Sequence, residues 1–242
     1  FEREVAIAER LQHPNLVRLL RWDVGSRPHM VLGLVEDGSL AEHLDEVGPV
    51  SVPEACLLGI RMAAALEFLH RNDVLHLDVK PANVTIGHPP VLLDLGLARA
   101  VSERQKLRGP VGTPRYMPPE QCEAGWITAA SDVYALGVTV YEGVSGRRPF
   151  PDGDREASDP KLRYPQLVAE PIPLGDVARV PDALEGIVMA CLDRDPAHRP
   201  GSAAETSVAL EGVLEGMHLD ELLAWPRGTR VLHDEGRGAR RP

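Results

Sequence analysis

Residues Val133 to Val144 are apolar on nearly every side of a helical winding. A helix with no polar face has to be enclosed by other elements, so this segment demands a domain deep enough to bury it from several directions. A second helical stretch, about 52 to 70, carries Ala55, Leu58, Met62, Leu66 and Leu69 on one stripe and supplies a face to pack against it. Residues 181 to 195 and 202 to 216 read as two more helices. With 242 residues, 43% of them hydrophobic, the chain can build such a core.

Local signals place the shorter elements. Glu2 to Gln12 has Val5, Ala8 and Leu11 near helical spacing and is stopped by His13-Pro14-Asn15. Strands over 16–22 and 30–35 flank a Gly-Ser-Arg-Pro turn at 25–28. Ser39 with Glu42, and Ser51 with Glu54, have the capping-box spacing, and Pro53 falls in a first turn, where proline is tolerated. Val84 to Ile86 and Val91 to Leu93, joined by Gly87-His88-Pro89-Pro90, predict a short hairpin holding Asn83 at one end and Asp94 at the other. The Pro- and Gly-rich stretch 146 to 175 reads as a surface segment.

That hairpin joins two polar segments, His76-Leu77-Asp78-Val79-Lys80-Pro81-Ala82-Asn83 and Asp94-Leu95-Gly96. An aspartate can take the proton of an attacking hydroxyl, a lysine two residues on can neutralise a moving phosphoryl group, and Asn83 with Asp94 are hard oxygen ligands suited to magnesium. Phosphoryl transfer asks for little else, since positioning and charge neutralisation do most of its catalysis. Downstream stand Gly112-Thr113-Pro114-Arg115-Tyr116-Met117-Pro118-Pro119-Glu120, then Ser131-Asp132-Val133-Tyr134-Ala135-Leu136-Gly137, then Asp195-Pro196-Ala197-His198-Arg199-Pro200.

In this order the segments resemble the eukaryotic-type serine/threonine protein kinases of bacteria, over roughly residues 1 to 214. The catalytic loop of that family reads H-R-D-L-x-x-x-N and its magnesium turn D-F-G, here present as HLD and DLG. The resemblance implies an α+β, protein-kinase-like bilobal fold, with a partial small β lobe and a mainly helical large lobe. Residues 1–35 would be a remnant of the small lobe, 36–216 the large lobe, and 217–242 a C-terminal extension serving as linker or tail.

It also implies roles. Asp78 would be the base, with Lys80 and Asn83 beside it; Asn83 and Asp94 would hold Mg2+. Leu32 would be the gatekeeper, and backbone groups of Gly33 and Val35 would meet the adenine of ATP. Thr85 stands where the family packs an aliphatic side chain under that ring. Thr113 would bridge Asp78 and Lys80, Glu120 would pair with Arg199, and Asp132 would brace the catalytic loop. His76 reads as a packed core histidine. Glu4 would be the helix glutamate that pairs with a lysine on the third strand. That lysine and the Gly-rich loop belong upstream of Phe1, so the chain reads as a fragment of a longer reading frame.

The implied reaction is transfer of the γ-phosphoryl group of ATP to Ser or Thr hydroxyls of protein substrates, with Lys80 favouring those acceptors over tyrosine. A pseudokinase scaffold is the main alternative: Leu77 and the missing lysine favour it, while intact Asp78, Lys80, Asn83 and Asp94 oppose it. A small-molecule kinase shares the H-x-D and Asn spacing but lacks the 112–120 segment. Leu77, in place of the family's arginine, cannot receive a loop phosphate, and 97–112 offers only Ser102 as acceptor. Activity is therefore expected not to depend on phosphorylation of that loop.

Composition narrows the partners. A formal charge of −10 argues against nucleic acid, and the basic end, Arg237 to Arg241, reads as a solvated tail. No apolar run is long enough to span a membrane. Three scattered cysteines, Cys56, Cys122 and Cys191, suit buried reduced thiols and a cytoplasmic setting. Three lysines among many arginines point to a GC-rich bacterial genome.

Overall fold

The computed structural model describes residues 2–100 and 109–217. Helix α1 (Glu2–Arg10) turns Val5 and Ala8 inward, and Leu11 just beyond it is buried too. Strands β1 (Leu19–Asp23) and β2 (His29–Leu32) pair antiparallel, Leu19 opposite Leu32 and Asp23 opposite His29, with a bulge between Leu19 and Arg21. The pair is shorter than the 16–22 and 30–35 strands expected. One bond extends the pairing beyond the ladder, Gly33 N to Arg18 O (2.7 Å), while Val17 N turns to another segment and donates to Leu92 O (3.0 Å).

Both predicted capping boxes form, at Ser39 before α2 (Leu40–Glu46) and at Ser51 before α3 (Val52–Arg71), each with its glutamate returning a bond to the cap amide. The stripe from Ala55 to Leu69 is buried along α3. After α3 come β3 (Val74–Leu75), which pairs with β4 (Arg99–Ala100), and the one-turn α4 (Pro119–Cys122).

Helix α5 (Ala129–Ser145) includes the all-apolar segment and is buried continuously from Ser131 to Tyr141. It ends at Gly146, whose φ of 66° is the left-handed cap that glycine adopts without penalty. Against α5 pack α3, α7 (Asp182–Cys191) and α8 (Ala203–Glu215), with α6 (Pro160–Arg163) lying between α5 and α7 in sequence. Glycine allows the closest approaches. A methyl group at Gly137 would lie 2.5 Å from Cys191 Cβ, and one at Gly59 2.6 Å from Leu210 Cδ1.

Three expectations are modified. Helix α7 stops at Cys191, short of 195, because Asp193 and Asp195 accept from the amides of Asp195 (2.8 Å) and Ala197 (2.9 Å) in place of helical carbonyls. The segment 146–175 is not wholly at the surface: Leu174 enters the main core, while Tyr164 packs with Met117 and Cys122 in a small separate cluster. The hairpin around 87–90 is reduced to a single bridge, Val84 with Leu92. Its ladder breaks because Val91 N donates to the Thr85 hydroxyl (2.9 Å).

Neighbours complete that irregular sheet. Ile86 N donates to Gly38 O (3.1 Å) and Leu40 N to Val84 O (2.7 Å) on one side, and Leu92 N to Asn15 O (2.8 Å) on the other. The three cysteines are unpaired and buried, and burial raises Cys56 and Cys191 to about 12. Among the described residues, no helix is long and apolar enough to cross a membrane.

Candidate active site

Strand β3 delivers the chain into 76–83, and α5 anchors the first residues of that loop. The carboxylate of Asp132, 0% exposed, accepts from His76 N (2.9 Å), Leu77 N (2.8 Å) and His70 Nε2 (2.8 Å). Burial pushes its pKa up, but the hydrogen bond from His70, backed by the amide of His76, prevails and holds it below the ordinary value. Leu77 has a φ of 66° and is buried. A γ-branched residue enters this region at a cost of about 1–3 kcal/mol and stays only where its surroundings insist. His76 is fully buried, its Nε2 3.2 Å from Leu93 O, and burial lowers its pKa, keeping the ring neutral.

The left-handed turn at Leu77 presents Asp78 to two partners. Lys80 Nζ lies 2.5 Å from Asp78 Oδ2 and 2.7 Å from Thr113 Oγ1, while the Thr113 hydroxyl and amide donate to Asp78 Oδ1 at 2.8 and 3.1 Å. Burial opposes ionisation of Asp78, yet the Lys80 and Thr113 hydrogen bonds hold its pKa below the usual carboxylate range. Asn83 Nδ2 donates to Asp78 O (2.9 Å) and Oδ2 (3.2 Å). Its amide oxygen is thereby the end left for a cation.

Leu93 N donates to Asn83 O (2.8 Å), so Asp94 follows directly on the residue that pairs with Asn83. Asp94 is exposed, with φ 60°, and its Oδ1 accepts from Gly96 N (2.9 Å). Leu32, Gly33, Val35 and Asp94 line one cleft of about 480 Å³, with Ala8, Val17 and Leu95 among its other walls. Lys80, Asn83 and Thr85 lie outside that lining. Thr85 is buried, its hydroxyl turned to Val91. Glu4 falls on α1, and its side chain is outside the described residues, as are Ser102 and the extension beyond 217.

Farther out, Arg199 is fully buried and donates to both oxygens of Glu120 (2.8 and 2.9 Å), with its guanidinium 4.9 Å from the Tyr134 ring centroid. Gln121 belongs to none of the motifs legible in the sequence. Its Nε2 donates to Leu77 O (3.1 Å) and to Val111 O, tying the Thr113 segment to the catalytic loop. Gly112, φ 122°, leaves room for it: a methyl there would come within 2.6 Å of that nitrogen. The only sequence signal is position, one residue past the Pro-Pro-Glu run.

Residues 1–209 match the family model described as the protein kinase domain. The chain belongs to the protein kinase family.

Similar proteins include the serine/threonine-protein kinase PkaA of Streptomyces coelicolor, 37% identical over 225 residues, covering 90% of this chain and 40% of PkaA. PrkC of Bacillus subtilis is 31% identical over 91% of this chain and 34% of its own length. PknB of Mycobacterium leprae is 30% identical over 98% and 38%. The chain thus spans about a third to two fifths of the curated relatives it matches.

Protein kinases work with ATP and a divalent metal. Asn83 and Asp94 offer one amide and one carboxylate oxygen of the kind such a metal takes. Magnesium is typically held by one or two carboxylates plus phosphates and water, not by a full protein cage.

Proposed function

We propose that this chain is the catalytic part of a serine/threonine protein kinase, which moves the γ-phosphoryl group of ATP to Ser or Thr hydroxyls of proteins. The observation that carries the reading is the carboxylate of Asp78 held between Lys80 and Thr113, ionised and 2.5 Å from an ammonium group. In this scheme the acceptor oxygen attacks the γ-phosphorus, its proton passes to Asp78 Oδ, and the bond to the β-phosphate oxygen breaks to leave ADP. Lys80 neutralises the charge that accumulates on the transferring group. Asn83 and Asp94 would hold Mg2+, which offsets phosphate charge when bound. Leu32 and the backbone of Gly33 and Val35 would receive adenine, with residues 1–35 serving as the small-lobe part and 36–216 as the large lobe.

The names of the relatives support Ser and Thr as acceptors, and Lys80 agrees with that class. Three buried thiols support a reducing, cytoplasmic setting. Incubation with γ-labelled ATP, Mg2+ and a mixed protein substrate, and then phosphoamino-acid analysis, tests the proposal. Label on serine or threonine that is lost in Asp78→Asn supports it. In a longer protein that also carries the third-strand lysine and the Gly-rich loop, magnesium-dependent ATP binding without any transfer would assign it to the pseudokinase class.

A further inference from the structure

Next to Thr113, the arginines 115, 148, 155 and 163 line one crevice, together with Gln166. A single carboxylate, Asp152, sits among them. It accepts 2.5 and 3.2 Å from the two terminal nitrogens of Arg148, and its Oδ1 forms an ion pair with Arg115 Nε at 2.9 Å. The Arg148 bond, with the charges of Arg115 and Arg155 adding to it over a smaller opposing effect of burial, keeps Asp152 below the usual carboxylate range. Asp152 is nevertheless 54% exposed. Just outside the crevice lining, Glu142 is 3.9 Å from Arg148 Nε and accepts the Tyr116 hydroxyl at 2.7 Å, while Asp154, Glu156 and Asp159 lie in the segment that carries Arg155 and Arg163. Four arginines and one carboxylate therefore line this crevice, on a chain whose overall charge is −10.

The crevice is preorganised. Gln166 Nε2 donates to Pro114 O (2.7 Å) and Met117 O (3.0 Å), pinning the backbone on both sides of Arg115. Asp154 N donates to Leu162 O (2.9 Å), and any side chain at Gly153 would collide with Arg163 O, so the loop that carries Asp152 and Arg155 is fixed against Arg163. Fixed forks bind a carboxylate with less loss of side-chain freedom. Arg115 is two residues from Thr113, whose hydroxyl touches Asp78, and two residues span at most about 7 Å.

We infer that Arg115 and Arg148 read an acidic side chain on the protein segment that carries the acceptor hydroxyl. A substrate carboxylate takes the seat that Asp152 fills, within a few residues of the serine or threonine. The inference rests on Asp78 being the group that meets the acceptor. Arginine forks match carboxylates in two-point geometry, so the preference is for Asp and Glu over their amides, not for polar residues at large.

Fluorescence anisotropy with labelled single-serine peptides tests this directly and needs no turnover. Twins of equal length carry Asp and Glu, or Asn and Gln, within four residues of the serine. The acidic twin should bind about tenfold tighter than the amide twin, the scale of one charge-assisted pair. Arg115→Gln with Arg148→Gln should erase that difference while leaving the amide twin's affinity in place, and Asp152→Asn should strengthen acidic binding several-fold. Arg115→Glu should favour a lysine-bearing twin, which guards against a variant that merely unfolds.

Equal affinity of the wild-type protein for both twins, or a preference that survives in the double glutamine variant, overturns the inference. Measuring phosphorylation of the same peptides separates it from the kinase reading. Charge-dependent binding with no transfer keeps the acidic-peptide seat but removes the reading of that peptide as a phosphoryl acceptor; transfer indifferent to charge keeps the kinase and overturns the seat.

Discussion

Leu77 N donates 2.8 Å to Oδ1 of Asp132, and that bond joins a left-handed loop residue to the first turn of the most deeply buried helix. The neighbouring oxygen of Asp132 accepts from His76 N and His70 Nε2. An aspartate with no exposed atom thus holds the backbone immediately before Asp78. Asp132→Ala should cost about 3 kcal/mol or more, since two amides and an imidazole lose their acceptor together. Urea unfolding measures it. Turnover should fall further than stability explains, because the strained φ at Leu77 loses its support.

Asp78→Asn and Asp94→Asn should differ. The first would remove the proposed proton acceptor and should reduce kcat by about 10²–10⁴ while Mg-ATP still binds. The second should weaken nucleotide binding in magnesium and leave it little changed without the metal. Nucleotide titrations with and without magnesium separate the two; wild-type affinity in Asp94→Asn would take Asp94 out of the metal site.

Removing Glu120 strands Arg199, a fully buried cation. Breaking a buried pair on one side costs about 3–5 kcal/mol. For a chain of this size, 3 kcal/mol lowers Tm by roughly 6–12 °C. Glu120→Ala should show that drop by calorimetry, and Glu120→Gln a smaller one, since the amide oxygen can still accept from one guanidinium nitrogen.

The depressed pKa of Asp78 fixes a direction for pH. Its unfolded value is about 4, and in the fold Lys80 and Thr113 hold it lower. Its stabilising contribution is therefore complete above about pH 4 and is lost as pH falls through the folded value. The gap in unfolding free energy between wild type and Asp78→Asn should be flat from pH 8 to 5 and narrow below about pH 4. A gap that closes near pH 6 would mean Asp78 is not held ionised.

Short-range features were legible in the sequence. Both capping boxes turn on three-residue spacings, and the enclosure of Val133–Val144 needs no knowledge of its neighbours. Asp78, Lys80 and Asn83 share six residues, so their proximity was never in question. Thr113 and Asp132 entered only through a family likeness, because nothing local says which loop returns to Asp78. Thr85 read as a strand residue; its hydroxyl supplanted a ladder carbonyl, a choice between side chain and backbone that propensity does not rank. Gln121 and the pairing of Arg115 with residues 148–163 join segments more than thirty residues apart, and only the packed chain brings them together.

The close approach of Gly137 to Cys191 turns a structural thiol into a clock. Cys56 and Cys191 lie in the helical core and Cys122 in the small cluster with Met117 and Tyr164. A thiol raised by burial and sealed by backbone reacts with an alkylating reagent only when its surroundings part. Alkylation of Cys56 and Cys191 therefore times separation of α3, α5 and α7, while Cys122 times release of the segment after Thr113. If the segment after Thr113 loosens while the bundle stays shut, Cys122 will be modified first, and mass spectrometry will read the two events as separate rates on one molecule.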